Sequence, residues 1–144
     1  VLADLFGGIT TDRLSRRWGL RVGRVAVGAG SLFAAGVFMI SGAFTSKPVL
    51  AAVLIALAGA ASNFLLGAAW GTCIDMGGRH SGVISAAMNT SGQIGGVLSP
   101  IVLAYLVQRL GSWSPALYLT GALYLGGALC WLWVDPRRQL NEFD

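Results

Sequence analysis

The sequence predicts an all-α membrane protein, a polytopic helical bundle, and three observations carry that expectation. Apolar residues make up 55% of the 144-residue chain and charged residues only 11%, where a soluble domain carries about 25% charge. Four long runs lack any charged side chain, each long enough at ~1.5 Å per residue to cross a hydrocarbon core of ~30 Å. The cations fall between these runs, and unevenly. The mean hydropathy of +0.69 agrees. A net charge of +4 on such a chain reflects membrane orientation and does not point to nucleic acid.

The first segment, residues 1–11, reads as the end of a span and carries one acid, Asp4. Residues 12–24 hold Arg13, Arg16, Arg17, Arg21 and Arg24 beside Asp12, and read as a short solvated loop. Complete spans are expected over 25–44, 49–74, 82–107 and 115–134. Residues 135–144 read as a soluble tail. No signal peptide is visible, since no basic region precedes the first apolar run. The chain opens at Val1 inside an apolar segment, so it is expected to be a piece of a longer polypeptide. Pro100 lies inside the third full span, where it removes a backbone bond and is expected to kink the helix. Pro115 suits the first turn of the fourth. Trp113 and Tyr118 at one end of that span, with Trp131 and Trp133 at the other, suit the membrane–water boundary.

Alternating spans sort the connections into two sides. Arg13, Arg16, Arg17, Arg21, Arg24, Arg79, Arg137 and Arg138 fall on one, and Lys47 and Arg109 on the other. The positive-inside rule makes the first side cytoplasmic, with the C-terminus.

The third full span organises the polar content. Gly82, Ser85, Asn89, Gly92, Gly96 and Ser99 recur at helical spacing, so small and polar residues share one face. Such a face allows close helix approach or lines a cavity. Asn89 can donate to a carboxylate or hydroxyl without the cost of a buried charge, or bond a neighbouring helix. Gln93, one turn on, has the same alternatives, as do Ser62 and Asn63 in the preceding span. Trp70 walls a cavity or packs. Asp4 is a cavity acid or a partner for an arginine elsewhere. His80, beside Arg79, reads as solvated. Cys73 and Cys130 form no pairwise motif and read as reduced thiols. No cluster suited to a metal, a cofactor or an enzyme's reacting groups is apparent.

Two motifs add a resemblance. Gly8-Ile9-Thr10-Thr11-Asp12-Arg13-Leu14-Ser15-Arg16-Arg17 resembles the cytoplasmic loop signature of the major facilitator superfamily, with Ser15 where the signature has glycine. Asp75 to Gly82, Met88-Asn89, Gly92, Gly95-Gly96 and Ser99-Pro100 resemble the eleventh-span signature of its anion:cation symporter branch. The resemblance implies the end of the eighth span through the twelfth of that fold. It further implies a secondary transporter of a small organic anion, such as a sugar acid, moved with a proton or sodium ion by alternating access. A bacterial inner membrane and a preceding half of the same polypeptide are implied too. Gly8, Asp12, Arg13, Arg16 and Arg17 would form a cytoplasmic gate, with Asp12 pairing to the arginines. Asn89, Gln93, Ser62, Asn63 and Trp70 would meet substrate. The alternative from another class is a non-transporting membrane component or an inactive truncated paralogue.

Overall fold

The computed structural model describes residues 2–139; Val1 and residues 140–144, the last part of the expected tail, lie outside them. Five α-helices follow in order: α1 (Leu2–Trp18), α2 (Leu20–Phe44), α3 (Pro48–Gly77), α4 (Ser81–Leu110) and α5 (Ser114–Leu132). A single 3-10 turn, Gly78–His80, joins α3 to α4. No strand occurs among the described residues. Three helical stretches are long and apolar enough to cross a membrane: Leu20–Phe44, Pro48–Leu110 and Ser114–Leu132. The middle one, of 63 residues, holds both α3 and α4, which the turn separates.

Local chemistry sets the ends of the helices. Pro48 and Pro115 open α3 and α5 in the first turn, where a missing N–H costs nothing. Gly111 closes α4 in the left-handed region at φ 65°, and its N–H donates to the Val107 carbonyl at 2.9 Å. α4 runs through Pro100 as one continuous helix.

The expected solvated loop at 12–24 is instead almost wholly helical. Its arginines and leucines are good helix formers, so α1 continues to Trp18. The chain breaks only at Gly19, with φ 92°, a conformation that glycine adopts without strain. The corner is tight: a side chain on Gly23 would collide with Ser15. α2 therefore starts immediately, and its first turns carry Arg21 and Arg24.

α2 is the central helix and packs against α1, α3 and α5. Its buried side includes Val27, Ser31, Leu32, Ala35 and Met39. Small residues set the close crossings. A Cβ on Gly36 would lie 3.1 Å from the Gly121 carbonyl of α5, so these backbones touch. Gly28 faces the Trp131 ring, and Phe44 meets Tyr118 edge-on at 5.2 Å. α5 is thus antiparallel to α2. α1 runs parallel to α3, with Gly7 against the Phe64 carbonyl and Gly8 against Gly67. α4 differs: none of its residues is buried. It meets α3 near the turn, where the Cys73 thiol donates to the Met88 thioether at 3.3 Å, and it meets α5 more sparsely. Gly82, Gly92 and Gly96 of the small-residue stripe face open space.

Past α5 the chain is pinned. Pro136 is fully buried. Both Asp135 carboxylate oxygens accept from Arg137, at 3.0 Å from Nε and 3.1 Å from Nη2. This pairing, with a smaller contribution from the Arg137 backbone N–H and the charge of Arg21, pulls the Asp135 pKa down from 3.8 to about 2. A depressed carboxylate stabilises the fold above its ordinary pKa and loses that contribution as pH falls through the lowered one. The staple is therefore expected to persist at pH 4 and to open toward pH 2. An NMR titration of the Asp135 carboxyl checks this, and a midpoint near 4 would mean the pair does not hold in solution.

Candidate functional site

The chain alternates direction from helix to helix, so the charged ends gather. One end of the bundle holds the C-terminal half of α1, the start of α2, the end of α3, the 3-10 turn and the tail after α5. It carries Arg13, Arg16, Arg17, Arg21, Arg24, Arg79, Arg137 and Arg138. The opposite end holds Lys47 and Arg109, the latter lying over the Tyr105 ring at 5.3 Å.

At the cation-rich end one arginine is buried. Arg24 donates from Nε to Asp75 of α3 at 2.9 Å and from Nη1 to Asp12 of α1 at 3.2 Å. Its side chain is 11% exposed, Asp75 22% and Asp12 59%. Gly71 supplies the room, since a side chain there would strike the guanidinium. One fork thus ties three helices together through charge-assisted bonds.

Of the arginines that the sequence places beside Asp12, Arg24 is the one that pairs with it, rather than Arg13, Arg16 or Arg17. Those three side chains are exposed. Asp12 also lies within α1 rather than at its end, and the tight Gly19 corner swings α2 back so that Arg24 reaches it. Arg24 and Asp75 were missed as site residues. The signal available was a lone acid ending one apolar run and an arginine beginning another.

Gly8 of the signature touches Gly67 through its backbone, but a side chain on Gly8 would meet open space. Its neighbour Gly7, pressed against Phe64, is the position that demands glycine. The Thr11 hydroxyl, fully buried, donates to the Gly7 carbonyl at 2.6 Å. Asp4 stands half-buried two turns before Asp12.

The polar positions of α3 and α4 are a second group. Asn63, Asn89 and Gln93 are exposed, and Trp70 is 42% exposed. Ser62 is half-buried and donates to the Gly59 carbonyl at 2.9 Å. The Cys73–Met88 contact sets the register of the two helices. Trp70 and Asn89 therefore lie at similar depth from the turn, with Ser62 and Asn63 about two turns deeper. Gln93 borders a shallow depression of about 330 Å³ walled by α4 residues including Thr90 and Val97. Among the described residues no group of three or more His, Cys, Asp or Glu could hold a metal.

Alternating apolar helices, close glycine crossings and cations massed at one end define a multi-pass helical membrane protein. A family model described as Major Facilitator Superfamily matches residues 1–142. The chain belongs to that superfamily. Over its whole length it is 33% identical to a probable sulfoacetate transporter of Cupriavidus necator, of which the match covers 34%. It is 28% identical over 90% of its length to a probable galactarate/D-glucarate transporter of Escherichia coli K12, covering 29% of that protein. It is 30% identical over 65% of its length to a chloroplastic probable anion transporter of rice, Oryza sativa, covering 18%. The chain spans about a third or less of the curated relatives it matches.

Proposed function

We propose that this chain is the C-terminal part of a secondary active transporter that moves a small organic anion, a sugar acid or a related carboxylate, in symport with a proton or sodium ion. The observation that carries this is the likeness, along the whole of this chain and a third of the relative, to a protein named as a sulfoacetate transporter, joined by one named for galactarate and glucarate. Both names denote small carboxylate-bearing anions. Family membership agrees with it.

In this reading Asn89 and Gln93 of α4, with Ser62, Asn63 and Trp70 of α3, face the solute during alternating access. Uncharged amides donate to a carboxylate without burying a cation of their own. Asp4 serves as a cavity acid. The arginine-rich end is cytoplasmic in a bacterial inner membrane, as the positive-inside rule requires. There Asp12, Arg24 and Asp75 latch three helices, Gly8 lets α1 lie close to Gly67 of α3, and Arg13, Arg16 and Arg17 present a cationic rim toward the preceding half of the polypeptide.

The test is uptake of labelled sulfoacetate, galactarate and glucarate by the full-length protein in vesicles, with and without an imposed proton or sodium gradient. Gradient-dependent uptake of one acid is expected. Asn89→Ala should lower it about tenfold or more, the effect of losing one hydrogen bond to a charged ligand. Uptake of none of them by protein folded in the membrane would refute the organic-anion assignment. Uptake untouched by the substitution would remove Asn89 from the site.

A further inference from the structure

One side of the α2–α5 pair carries a feature apart from the candidate site residues. Ala29, Gly30 and Phe33 of α2 and Leu125, Leu129 and Leu132 of α5 wall a groove of about 420 Å³. The lining is almost purely apolar, and Phe33, Leu129 and Leu132 are 59%, 62% and 51% exposed. The small residues Ala29 and Gly30 make the floor, and the bulkier side chains make the rims. Toward the cation-rich end the same side of α2 continues one turn down into a second depression, beside Val25, Val22 and Arg21. These positions recur at helical spacing, so the two depressions lie one after the other along the same side of the helix, from Phe33 to Arg21.

Arg21 closes the track with a positive charge. It is exposed and has no hydrogen-bonded partner among the described residues. Asp135 lies within its electrostatic reach, but Arg137 already takes both oxygens of that carboxylate. The Arg21 fork therefore keeps open donors. Trp18 and Trp133, 60% and 84% exposed at this end, are of the type that lies at headgroup level.

We infer that this track is a binding site for one anionic phospholipid, with an acyl chain in the α2–α5 groove and the phosphate on Arg21. Charge and shape select the occupant together. An apolar trough alone would accept any lipid tail, and a lone arginine any anion. A trough ending in a cation at headgroup height fits a molecule with both features. An anionic headgroup, which keeps its phosphate charge uncompensated by an amine, gains most from the arginine. Two rigid walls set by the Gly36–Gly121 crossing preorganise the trough, so little ordering is needed on binding. The inference is independent of which solute the protein carries.

Native mass spectrometry of the full-length protein, released from nanodiscs of equal phosphatidylglycerol and phosphatidylethanolamine, tests it. One retained phosphatidylglycerol is expected in excess of phosphatidylethanolamine. Arg21→Gln should cut that preference about fivefold, as expected for one cation near an anionic surface. Gly30→Leu should displace both lipids by filling the trough; a Cβ at Gly30 meets nothing within 4 Å, so the fold is spared. Arg79→Gln, at the same end but on the α3–α4 turn, should leave retention unchanged. Glycerophosphoglycerol, which has the headgroup without tails, should not compete. Equal loss in Arg79→Gln would show diffuse surface charge and overturn the site. So would unaltered preference in Arg21→Gln, unaltered retention in Gly30→Leu, or competition by the tail-free headgroup.

Discussion

Arg24→Ala is expected to lower the stability of the full-length protein by roughly 2–4 kcal/mol, because removing one partner of a buried pair strands the other. The effect is carried by Asp75, whose side chain is only 22% exposed. Asp12, at 59% exposure, is wet enough that Asp12→Asn should cost about 1 kcal/mol or less. Unfolding by SDS titration from detergent micelles, followed by circular dichroism, measures each. The decisive comparison is the double variant. Arg24→Gln with Asp75→Asn removes both charges and leaves none stranded, so it should be more stable than Arg24→Gln alone. A double variant as unstable as the sum of the singles would mean that the residues do not act as a pair.

Gly7→Leu should be comparably damaging. A Cβ on Gly7 collides with the Phe64 carbonyl, which is backbone and cannot rotate away. α1 and α3 would have to separate, at a cost of about 1–3 kcal/mol for overpacking, and more for so large a side chain. Separation would also lengthen the Asp12–Arg24–Asp75 bridge. Gly8→Ala, one residue on, meets open space and should lie within about 0.5 kcal/mol of wild type. The same titration reads both. Equal losses at the two positions would show that the close approach falls elsewhere.

The contrast between these neighbours shows what the sequence could disclose. The apolar helices were legible because a hydrocarbon environment admits few other solutions: charge-free runs of sufficient length, with Pro115 suited to a first turn. The signature motif marked Gly8 and Asp12. Which glycine bears the contact depends on how α1 is rotated against α3, and no motif contains that angle. Arg24 was hidden for a similar reason. Among five arginines in thirteen residues nothing local distinguishes the one turned inward. Its burial follows from the single-residue corner at Gly19, which the density of charge disguised as a loop. For Asn89 and Gln93 the helical face was legible, whereas the residues across from them are not set by α3 or α5, since α4 buries none of its side chains.

The pairing of α2 with α5 has a consequence for biogenesis. A ribosome delivers α2 first, and its glycine-lined side can be covered only after Leu132 has been synthesised. Throughout the intervening elongation the backbone near Gly28 and Gly36 faces lipid or the insertion machinery. Assembly of this fold therefore closes from its last helix backwards. Nascent chains stalled before α5 should be the forms that quality-control proteases remove, even though α1 to α4 have already been made.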